Sequence, residues 1–358
     1  MSDIIIIGGG VAGLSAAARL AEHANVTVLE GESAIGYHAS GRSAALFEEN
    51  YGCASVNALS RASGNYHRTA NGGYLSPRGF LLLGRAGEDT EFETDLKELN
   101  SVEVSVKEAR RRVPILNDTI TRAAYHDSAL DIDTDRLLQD FAKQVRHGGG
   151  RVITNARVEA ISHMTGGWAV QANGETYRCD TLINAAGAWA DQVAVMAGIT
   201  PIGITPMRRS MARVPAPDNL DVSSWPIFFG VGETWYAKPD AGKLLISPAD
   251  EDPTTPHDAY ADDMVLAEGI DRYQQHVTPE ITRVETTWAG LRSFAPDRTL
   301  VLGRDPVQPD FVWCAGQGGY GFQTAPAAGQ LICDIVSGHP SELDPSTIAA
   351  LSPDRFHT

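Results

Sequence analysis

Cysteine is scarce in this chain of 358 residues, and cations are outnumbered. Cys53, Cys179, Cys314 and Cys333 are its four cysteines, and no two form a Cys-x-x-Cys pair. They read as scattered thiols of a reducing compartment. Lys and Arg total 29 against 45 Asp and Glu, a net charge of −16 with pI near 5.0. That balance argues against nucleic acid or an anionic membrane as partner and suits solubility or a saline habitat. No apolar run approaches the ~20 residues that span a bilayer. Ile4 to Ile7 follows Asp3 and runs into glycines, which predicts a buried strand and no signal peptide. Cytoplasm is the expected location. Internal repeats, low-complexity segments and clean linkers are also missing. An apolar fraction of 43% allows a sizeable core, and the length favours two lobes over one.

What is present begins at the N-terminus. The β-branched run Ile4-Ile5-Ile6-Ile7 enters Gly8-x-Gly10-x-x-Gly13, an alanine-rich stretch follows, and Val26-Thr27-Val28-Leu29 ends on Glu30. Strand, glycine triplet, helix and an acid about 20 residues on form the context of a dinucleotide fingerprint. Gly8 allows the tight turn, Gly10 lets backbone approach a pyrophosphate, and Gly13 lets helix pack on strand. Val11 and Ala12 open the helix, whose N-terminal amides and dipole face the diphosphate. Glu30 can accept from ribose hydroxyls. The chain is expected to bind a dinucleotide.

Strand-to-glycine units recur far apart. The spacing of Leu137, Leu138, Phe141 and Val145 predicts an amphipathic helix over 133–145, stopped by Gly148-Gly149-Gly150. Val152-Ile153 and residues 157–161 read as strands, and Asn173-Gly174 as the turn of a hairpin between 168–170 and 175–177. A buried strand from Thr181 runs into Ala185-Ala186-Gly187, and Phe311-Val312-Trp313 runs into Gly316-Gln317-Gly318-Gly319-Tyr320-Gly321 with a helix from about Thr324. The pattern implies one nucleotide domain assembled from separate segments, with a second lobe inserted between them.

Eight motifs in order resemble the D-amino acid oxidase-like family of FAD-dependent oxidoreductases, and within it the bacterial D-arginine dehydrogenase type. They are Gly8 to Gly13 with Glu30; Gly36-Tyr37-His38-Ala39-Ser40-Gly41-Arg42-Ser43-Ala44-Ala45; Asp131-Ile132-Asp133-Thr134-Asp135; Asn184-Ala185-Ala186-Gly187-Ala188-Trp189; Arg208-Arg209-Ser210; Tyr236-x-Lys238-Pro239-Asp240-Ala241-Gly242; Thr287-Trp288-Ala289-Gly290-Leu291-Arg292-Ser293-Phe294; and Gln317-Gly318-Gly319-Tyr320-Gly321-x-Gln323-Thr324. The resemblance covers nearly the whole chain. It implies an α/β fold, α+β in its second lobe: a Rossmann-like FAD domain from residues 1–75, 133–196 and 300–350, and an antiparallel-sheet substrate domain from 76–132 and 197–299.

By the same resemblance FAD is held noncovalently by Gly8, Gly10, Val11, Ala12, Gly13, Glu30, His38, Ser40, Gly41, Arg42, Ser43, Ala44, Val158, Ala186, Gly187, Trp189, Arg292, Gly318, Gly319, Tyr320, Gly321 and Gln323. Arg42 reads either as a cofactor contact or as a surface charge. Cys314, two residues before the last glycine loop, reads as a buried structural thiol rather than a flavin attachment point. No metal site is expected.

Chemistry belongs where the flavin meets the inserted lobe. Oxidation of an amino acid by hydride transfer from Cα to flavin N5 needs orientation above all, and a carboxylate is best held in a guanidinium fork. Arg209 and Arg292 match the family's carboxylate clamp, with a buried salt bridge the other role for Arg292. Arg208 should face the opposite side of its strand. Tyr236 can donate to the same carboxylate, and the Gly319 carbonyl lies by resemblance near the substrate amine. Tyr51 reads equally as part of a lid or as a packed surface tyrosine, and Lys238 as a turn residue or a charge near the flavin edge. Departures from the arginine-enzyme pattern bear on the pocket. Phe80 stands in place of an acid, Leu46 in place of a histidine, and Glu48 in place of a hydroxyl residue. Glu48, counted with Leu46 and Phe80 in the substrate pocket, reads as a solvated loop charge, so a neutral or apolar side chain is expected and D-arginine should be poor unless Glu48 swings in to replace the missing acid. The competing readings are an oxidase of N-methylated or cyclic amino acids, a flavin monooxygenase or nicotinamide-dependent reductase, and a non-catalytic FAD-binding electron-transfer subunit. Only one Gly-x-Gly-x-x-Gly, that of Gly8 to Gly13, is followed by a second strand ending on an acid, which disfavours the reductase. The expected partners are the amino acid and an electron acceptor, a quinone or other carrier in preference to O2.

Overall fold

A computed structural model describes residues 3–217 and 220–356. The strand β1 (Ile4–Ile7) is buried at every position, as a parallel strand covered on both faces must be. It lies between β2 (Val26–Leu29) and the strand Thr181–Asn184, both parallel to it. Arg151–Ile153 extends the sheet on one side and Phe311–Ala315 on the other. An antiparallel edge strand, Val301–Arg304, completes six. One face is covered by three helices: α1 (Val11–Leu20), Thr134–His147 and Gly321–Ser337. Their apolar stripes meet in one core that includes Leu14, Ala18, Phe141, Val145, Leu331 and Ile332. The Asp133 side chain caps the second of these helices through the Arg136 amide. The opposite face is covered by the hairpin sheet of Val158–Met164, Gly167–Ala172 and Glu175–Cys179, which buries Trp168 and Val170 against Leu182 and Phe311. Its turn, Asn173-Gly174, has φ of 51° and 72°, the paired left-handed conformations that match strand twist.

Several boundaries move by one to three residues, two of them beside the cavity. The strand expected from Arg157 starts at Val158. The helix expected from Thr324 starts at Gly321, because Gly321 packs against Val11 and Gln317 and tertiary contact outweighs glycine's poor helical propensity.

The second sheet has nine strands. It is antiparallel except that Ile227–Gly230 runs parallel to Phe80–Arg85, so the expected all-antiparallel sheet is a mixed one. Its longest ladder pairs Thr205–Pro215 with Thr286–Phe294 over nine positions, setting Arg209 opposite Gly290 and Met207 opposite Arg292. Residues opposite each other share a face, as do positions two apart. Arg209 and Arg292 are therefore diagonal neighbours on one face. Arg208 takes the other, where it pairs with Asp250 and Asp252 at 3.2 and 2.6 Å. The strand bearing Arg292 lies against the Ala39–Arg42 turn, so the two sheets meet at the glycine-rich segment.

Candidate active site

A cavity of about 1150 Å³ runs from the fingerprint to the face of the second sheet, larger than pockets for most small ligands. At its nucleotide end Gly8 has φ 110°, and a Cβ there would lie 2.3 Å from the Ala185 carbonyl oxygen. A Cβ on Gly13 would lie 2.0 Å from the Gly8 oxygen, so Gly13 is a packing glycine between helix and turn and is not part of the cavity wall. Gly10, Val11 and Ala12 line the wall, and Ser40 Oγ accepts from the Val11 amide at 3.0 Å. Glu30 is buried at the end of β2 and accepts from the Gly9 and Glu32 amides at 2.7 and 2.8 Å. His38, Ser43, Ala44, Val158, Ala186, Gly187 and Trp189 line the same cavity. The His38 ring lies 4.6 Å from that of Trp189. A Cβ on Gly187 would meet nothing within 4 Å and would project into free space. Gly318, Gly319, Gly321 and Gln323 close the far end of the slot.

Besides Gly13, two residues of the expected cofactor set lie off the cavity wall, and a third is held by the second lobe. Gly41 lies outside the cavity wall: its amide donates to the Gly36 oxygen at 2.6 Å, and a Cβ would lie 2.5 Å from that oxygen. Tyr320 also lies outside, packed against Tyr51 and Phe294 with ring centroids at 5.5 and 6.4 Å. Arg42 reaches the wall, but its guanidinium is spent on the second lobe. It donates to the Ala259 and Ala289 oxygens at 2.8 and 3.0 Å and pairs with Asp258. The remaining set fits a dinucleotide that ends in a ring: a glycine turn at a helix start, an acid at a strand end, and a second helix start beside the other lobe. When bound there, FAD supplies a two-electron acceptor.

At the other end Arg209, Tyr236, Arg292, Tyr51, Gly319, Leu46, Glu48 and Phe80 share the wall with Met211, Ile227, Phe229 and Glu233. Arg292 is half-buried, has no hydrogen bond to the described residues, and finds its nearest carboxylate, Glu251, at 3.7 Å. Its fork is thus available to an anion in the cavity. Arg209 is not: Nη1 pairs with Glu233 at 3.1 Å and Nη2 with Glu251 at 3.2 Å. The Tyr236 hydroxyl has a weak contact, 3.8 Å, to Met211 Sδ, leaving it able to serve a ligand. Tyr51 donates to Glu233 Oε2 at 3.3 Å, and burial, with Glu233 beside it, pushes its pKa well above the usual value, so it remains a neutral donor.

Glu48 lines the cavity and is not a solvated loop charge. It is 3% exposed, with its carboxyl 3.6 Å from His126, whose ring stacks on Phe80 at 5.2 Å. Burial raises the Glu48 pKa and lowers that of His126, so the pair favours its uncharged form. Lys238 is not a turn residue, and its side chain does not line the cavity. It lies in the strand Tyr236–Asp240, pairs with Asp131 at 2.8 Å and donates to the Ala44 and Ala45 oxygens at 3.3 Å. The sequence reading missed Met211 and Glu233. Met211 was within reach, two positions from Arg209 on one strand face. Glu233 had no local signal, since it faces Arg209 only because the Val231–Glu233 turn is folded back over the sheet.

Comparison with known proteins agrees with this geometry. The family model "FAD dependent oxidoreductase" (DAO) matches residues 3–335. Sarcosine oxidase subunit beta from Rhizobium meliloti (strain 1021) is 25% identical over 383 residues, covering 99% of this chain and 88% of the relative. FAD-dependent oxidoreductase domain-containing protein 1 from Xenopus laevis is 25% identical over 192 residues, 49% of this chain and 38% of that protein, so the alignment spans well under half of that relative. The crystal structure of L-proline dehydrogenase from P.horikoshii superposes with a TM-score of 0.85 at 22% identity, covering 99% of this chain and 98% of the other. The glycine slot, the cavity-facing arginine at the lobe junction and the family match over most of the chain together make this protein a member of the DAO family of FAD-dependent oxidoreductases.

Proposed function

We propose that the enzyme oxidises a D-amino acid with a neutral or apolar side chain, giving an imino acid that water hydrolyses to a 2-oxo acid and ammonia. Arg292 carries this reading: a half-buried guanidinium with no internal hydrogen bond that faces the cavity beside Gly319. It would hold the carboxylate in a fork, with the Tyr236 hydroxyl as a donor beside it, which fixes Cα and converts binding into orientation. Phe80, Phe229, Met211 and Leu46 line the remaining wall, and the uncharged tendency of Glu48 and His126 suits a side chain without charge. The D configuration rests on the motif resemblance to the D-arginine dehydrogenase type. The reading includes noncovalent FAD, a carrier other than O2 as acceptor, and a cytoplasmic location, which the four free thiols suit.

A second reading, oxidation of a secondary amino acid, is favoured by the relatives named for sarcosine and L-proline, each aligned along nearly the whole chain. Anaerobic flavin bleaching decides between the two. D-methionine and D-leucine should reduce the enzyme faster than their L-forms, sarcosine, proline or 2-hydroxy acids. Reduction by sarcosine or proline alone would favour the second reading, and reduction by 2-hydroxy acids alone would overturn both.

A further inference from the structure

Charge at the substrate end of the cavity is unevenly spent. The wall there holds two arginines, and Arg209 has a carboxylate on each terminal nitrogen: Glu233 from the cavity side, Glu251 from a loop outside the lining. Glu251 also binds Arg298 at 2.8 Å, so it is fixed from behind. Glu233 is fixed as well. The amide of Gly232 donates to Asp95 at 2.7 Å, Thr234 Oγ donates back to the Val231 oxygen at 3.2 Å, and Arg272 holds the Thr234 oxygen at 2.9 Å. Glu233 itself sits at φ 49°, a left-handed conformation that a side chain of its kind rarely adopts. Its carboxylate spans Arg209 and Tyr51, with Asp95 and Glu98 on the same wall.

We infer that Glu233 is a specificity-determining residue that restricts the site to substrates with a single carboxylate, by neutralising Arg209 and presenting negative charge to a second acid group. This rests on the proposed seat for one carboxylate at Arg292. A second carboxylate on the ligand finds no unpaired guanidinium, since Arg42 is also committed to Asp258. It meets Glu233 directly, and like charges at short range in a partly desolvated cavity repel strongly. Discrimination of this kind comes from the repulsive element as much as from the attractive one.

The test uses binding and needs no turnover. FAD-loaded wild type, Glu233→Gln and Glu233→Asn are titrated calorimetrically with butyrate and with glutarate. Asn tolerates the left-handed conformation, so one of the two variants keeps the turn even if the other strains it. In the wild type, butyrate should bind more tightly than glutarate. In both variants the preference should fall by about ten- to a hundredfold, the worth of one charge-assisted interaction freed on Arg209. The gain should vanish when Arg209→Met is added, as a coupled pair requires. Wild type that binds glutarate as tightly as butyrate, or variants whose preference is unchanged, would overturn the inference. Failure of the carboxylate seat itself gives a different result: Arg292→Met would leave butyrate binding intact.

Discussion

Arg292 and Gly10 show how much of the site rests on single side chains. Arg292→Lys keeps the charge but replaces a planar fork by a point donor, so one of two parallel hydrogen bonds is lost. Charge-assisted bonds contribute roughly 1.5–3 kcal/mol, so kcat/KM should fall by about one to two decades. Arg292→Met should cost more, because Arg209 is already neutralised by Glu233 and Glu251 and cannot take over. Flavin content and spectrum should be unchanged in both variants, and rapid-mixing reduction with the best D-amino acid measures the loss. Gly10→Val should act at the other end. A Cβ at Gly10 already lies 3.1 Å from Ser40 Oγ, and a branched side chain would fill the wall where backbone must approach a diphosphate. The variant should purify folded and colourless; a yellow protein of full flavin content would refute the assignment of that end.

Among the elements, the helix Ala54–Thr69 is tied to Gly321–Ser337 through a buried imidazole. His67 Nε2 donates to the Gln323 oxygen at 3.1 Å, and burial lowers the His67 pKa to about 4, from 6.5. The folded state therefore binds fewer protons than the unfolded chain between those values, and stability rises with pH across that window. The contribution is complete above pH about 6.5 and is lost progressively as pH falls toward 4, at most about 3 kcal/mol. His67→Gln keeps a donor without the titration. Its Tm should fall less than that of the wild type between pH 7 and pH 4, and parallel Tm curves would show that other groups govern acid sensitivity. Elements of this kind were unevenly legible in the sequence. β1, α1 and β2 carry local signals, as does the amphipathic helix Thr134–His147. The start of Gly321–Ser337 was misplaced because it depends on Val11, some three hundred residues away in sequence. Arg209 and Arg292 were identifiable as residues, but their shared face depends on a register between strands about 80 residues apart, which no local pattern fixes. The burial of Glu48 and the position of Glu233 are likewise products of tertiary packing.

For the whole molecule, the cavity exists because two lobes are pinned together at one seam, and the pins are polar. Arg42 reaches from the glycine-rich segment to the Ala259 and Ala289 oxygens, and Trp288 Nε1 donates back to the Arg42 oxygen at 3.1 Å. Lys238 reaches the other way, from the second sheet to the Ala44 and Ala45 oxygens and Asp131. Asp131 also holds Arg78 at 2.6 Å, so it keeps a partner if Lys238 is removed. Lys238→Met therefore leaves orphaned carbonyls rather than a lone buried charge, which lowers the cost to about 1–3 kcal/mol. Those carbonyls belong to the loop whose Ser43 and Ala44 line the cavity, so loosening them should weaken cofactor retention along with the fold. A charge acting at the reaction centre would behave differently. The variant should show a lower Tm and release FAD more readily on dialysis, yet turn over at the wild-type kcat once saturated with FAD. A variant with normal Tm and FAD affinity but altered kcat would move Lys238 from the seam into the chemistry.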